Sequence, residues 1–183
     1  MPLRAGRRVE LHFDRAPGVQ NAEHGQRVLP NQQVRRMRAQ PLHRLVRDRL
    51  RQIFEGQAQL HPDLRILTGL RPGAELLAAE AAVRADVPYV AVLGFPDQDR
   101  NLTPGSRARF ADLLGRAADV VRLERKSPKD RDEFIKAMRR RDVWLSTVAD
   151  EAILVWDERD DRLARLFSDL DVRLGAALLV LHP

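Results

Sequence analysis

The sequence predicts an α/β fold: a single Rossmann-like, doubly wound domain with about six mostly parallel strands flanked by helices. First, short apolar runs rich in β-forming residues alternate with stretches of helical period along the 183 residues. Second, the stretch from Leu64 to Pro96 reads as strand, glycine-bearing turn, helix and strand, which is a βαβ unit of a parallel sheet. Third, no repeat or low-complexity tract interrupts this alternation, so we expect one domain over residues 1–183.

The first third of the chain predicts one strand, one long loop and one helix. The strand covers 9–13, and the loop, which is also a basic segment, covers 18–40. Because a proline starts or breaks a helix, Pro41 places the main helix at about 41–56. Its helical period predicts a buried face made of Leu42, Leu45, Val46, Leu50 and Ile53.

The remaining elements continue the alternation. In the central unit a strand ends at Thr68, a helix covers 74–85 and a second strand covers 89–95. Beyond it we predict helices at about 104–118, 128–147 and 161–173, and strands at 119–123, 152–156 and 176–181. Two pairs of residues have the spacing of helix N-caps, namely Thr103 with Pro104 and Ser127 with Asp130.

Composition limits the chemistry that the chain supports. The chain has no cysteine, which excludes disulfides, thiolate metal sites and cysteine nucleophiles. Its five histidines are scattered without a metal-binding spacing, so a histidine metal site is not expected. No apolar run approaches the ~20 residues of a membrane helix, and the N-terminus lacks a signal-peptide core. We therefore expect a cytoplasmic protein with no membrane partner.

The positive charge is concentrated in the first third of the chain. The net charge is +6, and residues 1–55 hold twelve Arg against five acidic residues, a surplus of seven. Such a segment attracts phosphate backbones, which makes nucleic-acid binding an alternative function. A solvated charged helix face is the other interpretation. The arginines of the nucleic-acid alternative are Arg35, Arg36, Arg38, Arg44 and Arg47.

The turn after the first strand of the central unit is a candidate ligand site. Gly69 and Gly73 let the backbone approach a ligand, and the helix that follows directs N–H groups towards an anion. The spacing fits neither a dinucleotide-binding loop nor a P-loop. A sharp strand-to-helix turn that needs glycine and a phosphate-binding turn therefore both remain open. Any site should lie at the carboxyl ends of the strands.

Three motifs resemble, in the right order, those of the YpsA-type branch of the SLOG superfamily. The motifs are LTGLRPGAELLAAEAA, GFPDQDRNL and RRDVWLSTVADEAILVWD. The SLOG proteins are Rossmann-like domains related to DNA-processing protein A, the LOG cytokinin-activating hydrolases and molybdenum-cofactor carrier proteins. The residues that match the family pattern are Thr68, Gly69, Gly73, Glu75, Glu80, Phe95, Gln98, Asn101, Arg141 and Asp150. Leu102 replaces an aromatic residue of the pattern, and Asp142 replaces an Asn.

The chain also departs from the family pattern at its glycines. Phe13 and Asp14 stand where the family has Thr-Gly after the first strand, and the Gly-Gly-Thr after the fifth strand is absent. The glycine-rich segment with which LOG-type hydrolases cleave a ribosyl bond is missing as well, which argues against that activity. The resemblance implies a diverged member that binds a nucleotide, a nucleotide-derived metabolite or nucleic acid at the strand ends.

The leading hypothesis is a non-catalytic or regulatory domain that binds a nucleotide or an ADP-ribose-like ligand. The ligand-binding residues would be Thr68, Gly69, Arg71, Gly73, Glu75, Phe95, Gln98, Asn101 and Arg141. Gln98 and Asn101 could instead satisfy backbone groups of their loop, and Glu80 is expected to be a structural hydrogen-bond acceptor.

Two further expectations concern metal ions and self-association. A divalent-metal-dependent phosphoester hydrolase is the third function considered, with strand-end carboxylates from Asp14, Asp97, Asp99 and Asp157. The apolar last strand, 176–181, would need cover if it lay at a sheet edge, which leaves a homodimer open.

Overall fold

The computed structural model describes residues 7–12 and 30–182. Strands and helices alternate through this part of the chain, with one 3₁₀ turn (Gly175–Ala177) before the last strand. The strands are β1 (Arg8–His12), β2 (Arg65–Thr68), β3 (Tyr89–Leu93), β4 (Asp119–Arg122), β5 (Glu151–Val155) and β6 (Leu178–Leu181). The helices are α1 (Pro30–Leu60), α2 (Ala74–Arg84), α3 (Pro104–Arg116), α4 (Arg131–Val148) and α5 (Asp161–Leu174).

The six strands form one parallel sheet in the order β4-β3-β2-β1-β5-β6. Strands β2, β3 and β4 follow one another on one side of β1, and β5 and then β6 lie on its other side. In the register, Val9 of β1 lies between Ile66 of β2 and Glu151 of β5. This doubly wound arrangement confirms the predicted Rossmann-like α/β fold.

Apolar residues cover the two faces of the sheet unequally. The larger core joins α1, α2 and α3 to one face, and the side chains of Leu50, Phe54 and Ile66 are fully buried in it. The smaller core lies on the other face, where Leu145 of α4 packs with Leu67 and other strand residues. Because β2 and β3 are covered on both faces, their sequences are nearly continuous apolar runs.

Helix α1 is much longer than predicted. It begins at Pro30 and continues through Pro41 to Leu60, so the loop predicted for 18–40 is wrong for 30–40, while 18–29 lie outside the described residues. A proline inside a helix removes one backbone hydrogen bond but leaves those on either side, so it does not have to end the helix. No helix in the described ranges combines the length and hydrophobicity needed to cross a membrane.

The buried stripe of α1 also differs from the prediction. Val46 and Leu50 are buried as expected and Ile53 is partly buried, but Leu42 and Leu45 are 40% and 61% exposed. Over 42–60, where the side chains are described, Phe54 is buried as well. The buried residues recur at every fourth position, which is the stripe that packs against α2. The prediction was wrong for Leu42 and Leu45 because apolar residues occur on two sides of this helix and only one side faces the core.

One predicted helix cap is confirmed and one is wrong. Thr103 caps α3 by accepting a hydrogen bond from the Ser106 amide at 3.4 Å, and Pro104 is the first helical residue. The cap of α4 is Asp130, which accepts from the Glu133 amide at 2.8 Å. Ser127 instead donates a hydrogen bond to Asp97, because α4 begins only at Arg131.

Candidate functional site

The central candidate residues meet at the carboxyl edge of the sheet. Thr68 ends β2 and is followed by Gly69, while Gly94 and Phe95 follow the neighbouring strand β3. Because parallel strands end at the same edge, the turn after β2 and the loop after β3 are adjacent. The β2–α2 turn, residues 69–73, is therefore bordered by a second loop that carries Gln98.

The buried side chain of Thr68 stabilises the β2–α2 turn through hydrogen bonds to its backbone. Its side chain is fully buried, donates a hydrogen bond to the Glu75 carbonyl at 2.9 Å and accepts one from the Leu70 amide at 3.3 Å. Leu70 has a φ of 56°, a left-handed conformation that is uncommon for a residue with a side chain. The threonine hydroxyl is thus used as donor and as acceptor within the turn.

The N-terminus of α2 carries no side-chain cap. Gly73 occupies the N-cap position with a φ of 117°, and it has no side chain that could accept from the first helical amides. The positive end of the helix dipole therefore lies at the carboxyl edge of the sheet without a capping carboxylate or hydroxyl from the N-cap position. Backbone groups of this kind form anion sites in many folds.

Glu75 is a buried carboxylate held between two arginines. It accepts hydrogen bonds from the Arg71 amide at 3.1 Å and from Arg71 Nε at 2.6 Å, and Arg141 Nη2 lies 3.4 Å away. Burial opposes its ionisation, but the charges of Arg141 and Arg71 and the hydrogen bonds from Arg71 outweigh burial and lower the pKa of Glu75 to about 2. The carboxylate is therefore ionised at neutral pH.

Arg141 is the only arginine that the structure buries completely within the described part of the chain. Besides Glu75, its guanidinium contacts the carboxylate of Asp142, with Nη2 at 2.5 Å and Nε at 3.0 Å. Its Nη1 has no hydrogen-bond partner among the described residues. A Cβ added at Gly69 would lie 2.5 Å from Glu75 Oε2 and still closer to Arg141 Nη1. Gly69 is therefore glycine because the arginine occupies the space of a side chain.

The β3–α3 loop supports the same turn. The Gln98 side chain accepts from the Gly94 amide at 2.9 Å and donates to the Gly69 carbonyl at 2.8 Å, so it joins the ends of β2 and β3. Phe95 is buried and contacts the ring of Phe134 edge-on. Asn101 is exposed, and its side chain forms no hydrogen bond with the residues that the structure describes. Of the two loop amides, Gln98 satisfies backbone groups and Asn101 does not.

The structure does not gather the acidic residues of the metal alternative into a cluster. Asp97 accepts from Ser127, which lowers the pKa of its carboxyl group, and Asp99 forms an ion pair with Arg107 at 3.6 Å. Asp157 is exposed and caps the amide of Arg159, while Asp14 lies outside the described residues. No three acidic or histidine side chains in the described ranges are placed to hold a metal ion.

The arginines of the nucleic-acid alternative lie on α1. Arg44 is exposed, whereas Arg47 pairs with Glu80 of α2 at 3.4 Å. Glu80 also pairs with Arg109 of α3 at 2.5 Å, so it links three helices as the expected structural acceptor. Arg35, Arg36 and Arg38 belong to α1, but their side chains are outside the described part.

Two residues of the third motif lie at opposite edges of the sheet. Arg141 reaches the carboxyl edge, whereas Asp150 precedes β5 at the amino edge and binds the Arg8 amide at 3.0 Å. Asp150 therefore ties β5 to β1 and does not belong to the site. Sequence reasoning missed the role of Asp142 as a partner of Arg141. Its position next to a basic residue was the available signal.

The carboxyl edge thus combines a strand-end turn, a helix N-terminus without a side-chain cap and a buried arginine that is paired with two carboxylates. A scan against protein-family models finds no match, and a search of curated proteins finds no matching relative. The resemblance to SLOG proteins therefore stays a hypothesis that depends on the motifs.

Proposed function

We propose that this chain is a SLOG-like, non-catalytic or regulatory domain that binds a nucleotide or nucleotide-derived ligand at the carboxyl edge of its sheet. The observation that carries the proposal is the uncapped N-terminus of α2 beside a buried, incompletely paired guanidinium. Gly73 and Arg141 supply these two features. The helix N-terminus favours a negatively charged group, the guanidinium keeps one unused donor, and a phosphate is the anionic group of every nucleotide.

The buried and the exposed candidates have different roles in this proposal. Thr68, Gly69 and Gln98 shape the turn through hydrogen bonds within the protein. The phosphate would therefore meet the outer side of the turn, where Arg71 and Gly73 are partly exposed. Glu75 holds the Arg71 guanidinium by its Nε and so orients the charged group.

The exposed side-chain amide of Asn101 would contact the ribose or the base of a nucleotide, which inorganic phosphate lacks. Asn101 lies in the same loop as Gln98, and its donor and acceptor are not used by the described residues. An amide recognises hydroxyl groups of a ribose or the edge of a base. We therefore expect nucleotides to bind more tightly than inorganic phosphate.

Calorimetric titration of the full chain with AMP, ADP-ribose and inorganic phosphate tests the proposal. Arg71→Ala should weaken nucleotide binding at least tenfold, because a charge-assisted contact is worth about 1.5–3 kcal/mol. Asn101→Ala should weaken binding of nucleotides but not of phosphate. Arg116→Ala is the matched control, since Arg116 is an exposed arginine of α3 paired with Asp112.

Three outcomes would contradict the proposal. They are the absence of saturable nucleotide binding, an equal loss of affinity in Arg116→Ala, and binding of oligonucleotides alone. The last result, if it weakened steeply with salt, would favour the arginine-rich first third of the chain as the binding surface.

A further inference from the structure

A second basic segment of the chain runs from the end of β4 into α4. Residues 122–140 hold eight basic residues against four acidic ones. All three lysines of the chain, Lys126, Lys129 and Lys136, fall in this segment. A charge count over the whole chain after the first third hides the segment, because residues 142–171 hold nine acidic residues against three basic ones.

Most of these positive charges are exposed and are not balanced by the protein. One of them, Arg140, forms an ion pair with Glu124 at 2.7 Å. Two of the acidic residues serve the start of α4, where Asp130 accepts from the Glu133 amide and Glu133 accepts from the Lys129 amide. Seven exposed basic side chains have no ion pair with any described residue, and together we call them the β4–α4 surface: Arg122, Arg125, Lys126, Lys129, Arg131, Lys136 and Arg139.

Contacts outside this set hold the surface in place. The ion pair of Arg140 with Glu124 joins the loop after β4 to the middle of α4. The Glu124 amide also donates to the Gly94 carbonyl at 3.1 Å, which attaches the same loop to the end of β3. On α4, Lys136 and Arg139 are three residues apart, so they lie on one side of the helix. The basic side chains are therefore carried by a fixed backbone and are not needed to form it.

The arginines on the described part of α1 are used differently. Arg47 pairs with Glu80 of α2, and Arg51 pairs with Glu55 one turn along the helix. On the β4–α4 surface, by contrast, unbalanced cations repel one another, which destabilises the folded chain. A polyanion that neutralised them would remove this repulsion and would bind strongly at low salt.

The density of charge favours a nucleic-acid duplex as the polyanion. A duplex carries one negative charge per about 1.7 Å of its axis, whereas an extended acidic peptide carries at most one per about 3.3 Å. A membrane surface is bound by helices with a large apolar face, and α4 exposes two large apolar side chains in its described length, Ile135 and Val143.

The aromatic residues near the surface argue against a single strand. Proteins that bind single strands stack bases on exposed aromatic side chains. Here Phe134 is partly buried and contacts the ring of Phe95, and Trp144 packs against the smaller core. We propose that the β4–α4 surface binds the phosphate backbone of a double-stranded nucleic acid without reading its sequence. None of its seven residues belongs to the proposed nucleotide site, so this inference does not rest on that site.

Fluorescence anisotropy of a labelled DNA duplex of about 20 base pairs, titrated with the full-length chain, tests the surface. Binding should be saturable at about 50 mM salt, equal for two duplexes of unrelated sequence, and much weaker at about 200 mM. The double variant Lys126→Gln with Lys129→Gln should weaken binding about tenfold at the lower salt and reduce the salt slope by about 2, because it removes two phosphate contacts. Lys136→Gln with Arg139→Gln should have the same effect.

Two further double variants are matched controls for the loss of charge. Arg159→Gln with Arg165→Gln removes two exposed cations near the start of α5, and Arg44→Gln with Arg49→Gln removes two exposed cations from α1. Each should weaken duplex binding less than about twofold, because charges away from the contact are screened by salt. Titration with AMP is a separate measurement, so failure of the nucleotide site and failure of the duplex surface are distinguishable.

The proposal would be overturned if the duplex did not bind saturably, or if the controls lost as much affinity as the two variants of the β4–α4 surface. It would also be overturned if a single strand of the same length, poly-glutamate or vesicles of an anionic phospholipid bound more tightly than the duplex. The last two results would assign the surface to an acidic protein or to a membrane.

Discussion

At the scale of single residues, the most unusual feature is the group of charges formed by Arg71, Glu75, Arg141 and Asp142. Two arginines and two carboxylates balance each other, and the pair at its centre, Glu75 and Arg141, is removed from water. Taking such charges out of water is costly, and removing one partner leaves the other charge unbalanced. The group therefore makes the turn after β2 sensitive to any change of charge.

The first prediction concerns the stability of Glu75→Gln. At pH 7 the variant should be less stable by about 3 kcal/mol, because Arg141 loses its buried partner. The pKa of Glu75 is lowered from 4.5 to about 2, so its stabilising effect is complete above pH 4.5 and disappears as the pH falls towards 2. Urea unfolding at several pH values should show the two proteins converging over that range.

Glu55→Gln is the control for this prediction. Glu55 is partly exposed and pairs with Arg51 one helical turn away, so its loss should cost less than about 0.5 kcal/mol. A stability difference between wild type and Glu75→Gln that stayed constant from pH 7 to pH 2 would contradict the assigned role of the carboxylate.

The sequence identified many of the residues at this site but not their contacts. The glycine spacing and the family motifs pointed to Gly69, Gly73, Glu75 and Arg141. The contact between Arg141 and Gly69 joins residues far apart in sequence, and it depends on how α4 packs on the sheet. A pattern of local periodicity carries no information about such a contact.

At the scale of elements, the ends of the helices are decided by individual polar side chains. Asp130 accepts from the Glu133 amide and begins α4, whereas Ser127, three residues earlier, contacts Asp97. Both residues fit the cap preference, and the prediction wrongly took Ser127 as the cap. For α1 the prediction that Pro41 starts or breaks the helix was wrong, because a proline inside a helix lowers its stability but does not have to end it.

The second prediction is that Asp130→Ala destabilises the protein by about 1 kcal/mol, the usual cost of losing an N-cap. Asp130→Ser should restore most of the loss, because serine also accepts from the third helical amide. Asp132→Ala, which removes a charge but no cap, should cost only a few tenths of a kcal/mol. Chemical denaturation measures all three. Equal effects of the two alanine variants would show that the Asp130 contact is unimportant.

At the scale of the whole molecule, one sheet carries two cores of different size. The sequence predicted the alternation of strands and helices, and it therefore predicted the fold class. It did not predict the strand order, since nothing in the pattern states that the chain returns to β1 after β4. For that reason the sequence did not separate Arg141 from Asp150, which lie at opposite edges.

The third prediction is that both cores unfold together. Leu50→Ala in the larger core and Leu145→Ala in the smaller core should each cost about 2–5 kcal/mol. Far-UV circular dichroism and tryptophan fluorescence, to which Trp144 beside the smaller core contributes, should give the same urea midpoint in each variant. Leu60→Ala is the control, since Leu60 is 72% exposed.

A fluorescence midpoint below that of circular dichroism in Leu145→Ala would mean that the α4 side unfolds first. The chain would then not behave as the single cooperative domain expected from its sequence.

The contact between Gly69 and Arg141 has a consequence for sequence change over time. A larger residue at position 69 would overlap with the guanidinium, and a shorter residue at position 141 would leave Glu75 without its partner. Either change is harmful alone. A larger residue at position 69, a shorter residue at position 141 and a neutral residue at position 75 together would relieve both problems. In sequences that keep this turn, we therefore expect positions 69, 75 and 141 to covary as a linked set.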